Sequence, residues 1–265
     1  LGTAQTQRVL LILDASRSMA QKFNGEVKFT LAQKLCYRLL DSLEKNTTLE
    51  LALRVYGAEF TYPPGKCTDS KLVIPFNSKN AKQLRNYISG IRPKGITPIA
   101  FSLQQALNDF PKDKVQNHIL IITDGIEECS GNMCASAELL LARNISFKPC
   151  IVGIGLTLKQ QNLFNCVGPY FDIKHSQTIS NVLNVIQSSS EKPGTYQINL
   201  INSKGQALEE RVAFSITDTA LRNTQNQWVH CLNAVQIPDT IYSGTPLPFK
   251  IKLHTIPEQF SSAQH

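Results

Sequence analysis

In the stretch LLILDASRSM, Leu10 to Met19, four apolar residues run into one carboxylate and two hydroxyls, each two positions apart. Two other stretches carry the same kind of group. KGITPIA places Thr97 ahead of an apolar-periodic segment, and NHILIITDG ends a second apolar run at Asp124. Asp14, Ser16, Ser18, Thr97 and Asp124 supply hard oxygen atoms, with no nitrogen or sulfur among them. Two carboxylates and three hydroxyls suit Mg2+, which takes six oxygens and keeps some waters, with Mn2+ or Ca2+ as substitutes. The alternation in Asp-x-Ser-x-Ser has a physical use. In an extended segment alternate side chains point the same way, so one short loop can aim three oxygens at one point.

The elements that must position these groups are readable as periodicities. RVLLILD (8–14) and NHILIITDG (117–125) are continuous apolar runs, as expected of central parallel strands buried on both faces. SFKPCIVGIG (146–155) is a third. LELALRVYG (49–57) alternates and reads as a strand; KLVIPF (71–76) is a short strand whose Pro75 argues for a sheet edge. Helices are expected over 28–45, where Leu31, Leu35, Leu39 and Leu43 recur every four residues, and over 80–91, 97–110, 134–144, 158–168 and 178–190. YFDIKH (170–175) is a last strand. Strands alternating with helices of this length predict a doubly wound, mostly parallel sheet with helices on both faces, a Rossmann-like α/β domain over residues 1–190. In such sheets ligands bind outside the carboxyl ends of the strands, where the strand order reverses. If the strands ending at Asp14 and Asp124 are neighbours, the five oxygen donors meet there.

After the linker-like EKPGT (191–195) the period changes to two. Tyr196, Ile198 and Leu200 alternate with polar residues, as do Phe249, Ile251 and Leu253. Residues 195–265 read as a small all-β, sandwich-like domain with Trp228, Val229 and Leu232 in its core, closing on a loose tail, EQFSSAQH.

These residues resemble the von Willebrand factor type A domain and its metal-ion-dependent adhesion site. The family pattern is Asp-x-Ser-x-Ser on a first loop, Thr on a second and Asp on a third; this chain carries DASRS, GITP and TDG in that order. The resemblance covers about residues 7–190 and is strongest to bacterial secreted or envelope proteins, through VYG…KC, LVIP, KGITPIA and TDGIEEC. It implies that Ser16 and Ser18 ligate through their hydroxyls. Thr97 would ligate directly or through water, and Asp14 and Asp124 would act mostly through water while holding the serines. An ion with few anionic ligands keeps much of its positive charge. Its open position then suits an Asp or Glu carboxylate from a partner protein. The function implied is a metal-dependent adhesion or assembly module.

Each piece also has a purely local use: Asp and Ser as turn and cap residues, Thr97-Pro98 as a helix N-cap followed by proline, Asp124-Gly125 as a turn. A metal-independent scaffold of an envelope assembly is therefore the alternative. A Mg2+-dependent hydrolase is a weaker one. No histidine lies in the three loops, and the chain has no P-loop, dinucleotide fingerprint or G-x-S-x-G elbow. Glu127 and Glu128 could act as bases, but acidic loop residues of this kind are usually solvated. No catalytic residue is assigned.

The formal charge of +7 comes from scattered lysines and arginines with no basic run, which argues against nucleic acid. No apolar run reaches the roughly 20 residues a membrane helix needs. Small residues then Gln at the start, LGTAQTQ, are what a cleaved leader or a vector scar leaves. Of the seven cysteines, Cys36 and Cys150 sit in apolar-periodic segments and read as buried hydrophobes, while Cys67, Cys129 and Cys134 sit in loop-like sequence. Loop cysteines suggest an oxidising, extracytoplasmic location and a disulfide from Cys67 to Cys129 or Cys134, with free thiols the other reading. Arg17 and the segments 58–66 and 126–133 would form the rim. Asn46-Thr47-Thr48 and Asn144-Ile145-Ser146 match the glycosylation sequon.

Overall fold

The computed structural model describes residues 6–113, 115–142, 149–175 and 177–188, and beyond these the backbone of six strands between 194 and 263. The chain divides into two compact units, Leu1–Gln187 and Ser188–His265.

In the first unit β1 (Gln7–Asp14) is followed by a 3-10 turn, Arg17–Ala20, and a small hairpin of β2 (Lys22–Phe23) and β3 (Glu26–Val27). Then come α1 (Lys28–Leu43), β4 (Leu49–Tyr56), β5 (Ser70–Asn77), α2 (Ala81–Gly90), α3 (Ile99–Asp109) and β6 (Gln116–Thr123). The unit ends with α4 (Met133–Ala142), β7 (Cys150–Gly153), α5 (Leu158–Asn162), β8 (Tyr170–Asp172) and α6 (Thr178–Ser188). The sheet order is β5-β4-β1-β6-β7-β8, parallel throughout except for β5, which runs antiparallel along β4 at the edge. The edge position of β5 accommodates Pro75, which has no N–H to donate.

β1 shows why the middle of a central strand is apolar at successive positions, here Val9 to Leu13. Leu10 and Ile12 pack with Ile99, Leu103 and Ala106 of α3, with Ala137 and Leu140 of α4, and with Phe164 and Val167. The intervening Val9, Leu11 and Leu13 are equally buried. They point to the opposite face, since side chains alternate along a strand. There α1 buries a wide stripe (Ala32, Leu35, Cys36, Leu39, Leu40, Leu43) and packs on α2, which meets β4. The sheet is thus covered on both sides. Two arginines inside it are paired: Arg54 of β4 makes two 2.6 Å bonds to Asp109 of α3, and Arg8 of β1 bonds Glu50 at 2.6 Å and clasps Asp113.

Several expectations differ from the structure: the strand expected over 170–175 is Tyr170–Asp172, and Gln259–Ala263 of the expected loose tail forms a strand. The helix expected over 158–168 stops at Asn162, although Thr157 and Gln160 form a capping box at its start. The chain tightens into i→i−3 turns through Phe164 and Val167, which drives both side chains into the core. Thr97 does not cap α3: Pro98 occupies the N-cap position and no side chain caps from there. The strand expected over 146–155 is described for Cys150–Gly153, and residues 143–148 lie outside the described part. Tyr87 of α2 is exposed, while Leu84 and Ile88 of the same helix are buried.

In the second unit β10 (Val212–Asp218), β11 (Asn223–His230), β13 (Phe249–Leu253) and β14 (Gln259–Ala263) form an antiparallel sheet in the order β11-β10-β13-β14. β9 (Gly194–Gln197) pairs antiparallel with β12 (Thr240–Ser243). The expected core around Trp228 and Leu232, the Asn144 sequon and Cys231 lie outside the described side chains. Among the described residues no helix is long and apolar enough to cross a membrane.

Candidate functional site

β1 and β6 are neighbours, and the sheet reverses its order between them: the chain moves outward through β4 and β5 on one side and through β7 and β8 on the other. Asp14 is the last residue of β1, and Asp124 follows the last residue of β6. Asp14, Ser16, Ser18 and Asp124 lie together at this reversal, where ligands bind in sheets of this kind, and Thr97 lies beside Gly125 of the third loop. Asp14 Oδ1 accepts from the Ser16 N–H at 2.7 Å, which folds the chain back over its own carboxylate. Ser16 Oγ and Ser18 Oγ are 3.0 Å apart, and Ser18 Oγ donates to Asp124 Oδ1 at 2.7 Å. A continuous hydrogen-bonded chain therefore runs from the first loop to the third.

The second loop enters by a close backbone crossing. Gly95 donates to Gly57 O at 2.8 Å, Lys94 N–H donates to Ala15 O at 3.0 Å, and Arg17 N–H donates to Gly95 O at 2.9 Å. A Cβ on Gly95 would lie 2.6 Å from Gly57 Cα, and one on Gly57, whose φ is +70°, would lie 2.8 Å from Ser16 N. Only two glycines allow the backbones after β1, β4 and before α3 to touch. This crossing delivers Thr97 to the third loop, where its Oγ1 would be 3.6 Å from a Cβ on Gly125.

Glu127 and Glu128, expected to be solvated, instead fasten that loop to α3. Glu127 Oε2 accepts from Ala100 N–H at 2.6 Å, and Glu128 Oε2 accepts from Thr97 N–H at 2.9 Å. Glu127 thereby satisfies an orphan donor in the first turn of α3, Glu128 holds the residue just before the N-cap, and both bring negative charge to the positive end of the helix dipole. Because carboxylates from the third loop do the capping, the Thr97 hydroxyl is left out of it.

The cluster lies in a region nearly closed to solvent. Asp14, Ser16, Thr97 and Asp124 are all buried. Thr123 Oγ1 donates to Asp14 Oδ2 at 2.7 Å and accepts from the Tyr56 hydroxyl at 3.1 Å. Burial, then the charge of Asp124, push the Asp14 carboxyl up to about 6 against the hydrogen bonds that favour its ionised form. Burial and Asp14 likewise push the Tyr56 phenol up, so it stays a neutral donor. Among the described ion pairs, the one at the cluster is made by Lys28, whose Nζ is 2.6 Å from Asp124 Oδ2. Neither Lys28 nor Tyr56 carries a sequence signal; Thr123 does, as a polar residue closing an apolar run. Among the described residues no three His, Cys, Asp or Glu side chains converge to hold a metal. The cluster has two carboxylates, and its other donors are hydroxyls.

The rim is built from the predicted segments. The Arg17 guanidinium lies 4.0 Å above the Tyr62 ring, and Lys66 Nζ is 4.6 Å from the Phe60 ring centre. Phe60 and Tyr62 are both exposed. Asp69 accepts from the Glu59 and Phe60 N–H groups, which turns this loop back on itself. Cys67 is bonded to Cys129, tying the loop after β4 to the loop after β6. A second disulfide, Cys134–Cys166, is unexpected, because Cys166 falls in a segment that reads as helix. Cys36 and Cys150 are free and buried, as their apolar-periodic settings imply.

A doubly wound sheet with an oxygen-rich cluster at its switch point defines the class. The sequence model of the von Willebrand factor type A domain matches residues 9–127. The chain belongs to this family, whose domains commonly serve as protein-interaction and adhesion modules. It is 34% identical over 144 residues to the uncharacterized protein YwmC of Bacillus subtilis, covering 52% of this chain and 63% of that one. It is 32% identical over 157 residues to the uncharacterized protein YwmD of the same organism, covering 57% of this chain and 69% of that one. Among solved structures it is similar to proximal thread matrix protein 1 from the mussel byssus, described with a zinc-occupied metal-ion-dependent adhesion site, at TM-score 0.55 and 19% identity. That match covers 69% of this chain and 46% of the other. It is also similar to the von Willebrand domain of the type V pili tip protein Mfa5 from Porphyromonas gingivalis, at TM-score 0.57 and 11% identity, covering 73% and 99%.

Proposed function

We propose that this chain is a metal-dependent protein-binding module working outside the cytoplasm. In this reading a divalent ion, Mg2+ first, is held by the Ser16, Ser18 and Thr97 hydroxyls, with Asp14 and Asp124 bracing the loops and balancing charge. The observation that carries the reading is the charge imbalance in the buried cluster. Two carboxylates share it with a single ammonium, and burial, then the charge of Asp124, push the Asp14 carboxyl up to about 6. The donor set is all oxygen, which fits a hard divalent ion. Such an ion would supply an electropositive point able to take an Asp or Glu carboxylate from a partner. Arg17 on Tyr62 and Lys66 on Phe60 add two cations to the same rim, which favours an acidic partner.

Binding rather than chemistry is favoured because the groups that could act as bases are engaged. Glu127 and Glu128 accept backbone N–H bonds, and His118 is buried in β6 at the amino end of that strand. The zinc-occupied motif of the mussel protein and the pilus-tip origin of Mfa5 lend the reading support. Two disulfides support an oxidising location.

The test is calorimetry with Mg2+ and Mn2+ on the intact protein and on Ser16→Ala/Ser18→Ala. Binding that vanishes in the double variant is the expected result. Equal binding in both, or none in either, would sink the reading in favour of a metal-independent scaffold. Pull-down of acidic partners with and without chelator follows from the first result.

A further inference from the structure

Lys28 is the first residue of α1, and its main-chain N–H is anchored on Gln21 O at 2.9 Å. Its side chain is 14% exposed and reaches the carboxylate of Asp124, whose side chain is fully buried, at 2.6 Å. The other oxygen of that carboxylate, Oδ1, accepts from Ser18 Oγ, the end of the hydroxyl chain that includes Ser16. One carboxylate is therefore shared between an ammonium from the chain and the hydroxyls assigned to the metal. A buried carboxylate pair with no cation is strongly disfavoured. An ammonium delivered on a four-carbon stem relieves half of that charge without any ion from solution. The same ammonium repels a divalent ion brought to the same carboxylate.

We propose that Lys28 is a resident counter-cation of this site, competing with the divalent ion for Asp124 and thereby setting the metal affinity. The inference rests on the metal-binding reading above and adds the residue that tunes it. With Lys28 on Asp124 the cluster is held together in the absence of metal. Loading the ion requires the ammonium to leave Asp124 Oδ2 for the solvent edge that its residual exposure already reaches. The site would then fill where divalent ions are abundant and stay closed on its own lysine where they are scarce. Because Lys28 opens α1, loading also changes what holds the first turn of that helix.

The experiment uses Mg2+ and Mn2+ alone as probes, on the intact protein, Lys28→Met, Lys28→Arg and Ser16→Ala/Ser18→Ala, with folding of each checked by circular dichroism. Lys28→Met is expected to bind at least about tenfold tighter, the lower bound for a single and a double positive charge about 6 Å apart in water. It is also expected to melt lower than the intact protein in chelator, while Lys28→Arg keeps the weak affinity. A second measurement needs no variant: acetylation of Lys28 in the intact protein, followed by mass spectrometry, should rise on Mg2+ saturation. Lys34, whose side chain is 62% exposed in a surface pair with Glu26, should not change and serves as the reference. Metal binding by the intact protein with unchanged or weaker binding by Lys28→Met, or with unchanged Lys28 labelling, would overturn this inference and leave the metal site standing. No metal binding by either the intact protein or Lys28→Met would overturn both.

Discussion

Asp14→Asn is expected to stabilise the metal-free protein while abolishing its response to Mg2+. The Asp14 carboxyl is raised from 3.8 to about 6, by burial first and by Asp124 second. A rise of about two units corresponds to about 3 kcal/mol of penalty for keeping the ionised form folded at pH 8. The amide retains an oxygen for the Ser16 N–H now bonded to Asp14 Oδ1. The Thr123 hydroxyl, which donates to Asp14 Oδ2, must turn, and Gly125 O lies 3.3 Å away as its new acceptor. One rearranged hydroxyl costs about 1 kcal/mol, leaving a net gain of about 2 kcal/mol. The sign with pH follows from the raised value. Between 6 and 3.8 the folded state binds more protons than the unfolded one, so the parent gains stability as pH falls through 6. The variant lacks this gain, and the advantage should shrink below pH 6 and be lost near pH 4. His118, lowered to about 4 by burial, works in the opposite direction between 6.5 and 4, because the unfolded state takes up a proton the folded state refuses. That contribution is common to both proteins and cancels in the difference. The assay is urea unfolding with disulfides intact, in chelator and in Mg2+, at pH 8, 6 and 4. A variant no more stable than the parent at pH 8 in chelator, or an advantage that persists at pH 4, would refute the charge argument.

Two other outcomes are expected. Gly95→Ala places a methyl 2.6 Å from Gly57 Cα and 2.7 Å from Gly57 O, backbone atoms that cannot rotate away; a loss of about 1–3 kcal/mol should accompany loss of metal binding, since the loop carrying Thr97 must move away from the loop after β4. Urea unfolding and calorimetry on one sample read both effects, and unaltered metal affinity would show that the glycine crossing does not set the site. Asp109→Ala leaves the Arg54 guanidinium buried and unpaired, which should cost about 3–5 kcal/mol in urea unfolding, whereas Arg54→Met/Asp109→Leu should recover most of it. Equal losses in the single and double variants would mean that packing, not charge, is what the pair supplies.

The strands on either side of the site are legible in the sequence because they are buried on both faces. β1 and β6 leave no polar side to confuse the pattern, and their ends are marked by Asp14 and by Thr123-Asp124. The helices α1 and α3 are legible for a related reason, one broad apolar stripe each. Local pattern fails where a segment is shaped by what it meets. Phe164 and Val167 continue a helical spacing, yet both turn into the core and the helix ends at Asn162. Thr97-Pro98 has every local mark of an N-cap, but Pro98 takes the N-cap position and Glu127, arriving from another loop, accepts the Ala100 N–H of the first turn. Cys166 has a helical setting, and its partner Cys134 lies 32 residues away.

Residue types and their local periods determine by themselves that a parallel sheet carries hydroxyls and carboxylates at its carboxyl edge. Those properties depend on neighbours a few positions along the chain. The tertiary structure alone decided how the cluster is charged and braced: that Thr123 and Tyr56 hold Asp14, that two glycines let the loops cross, and that Lys28 sits on Asp124. The last pair is 96 residues apart in sequence. Its formation depends on a 2.6 Å approach made by the packing of α1 beside the sheet's switch point, and no local pattern encodes a distance of that kind.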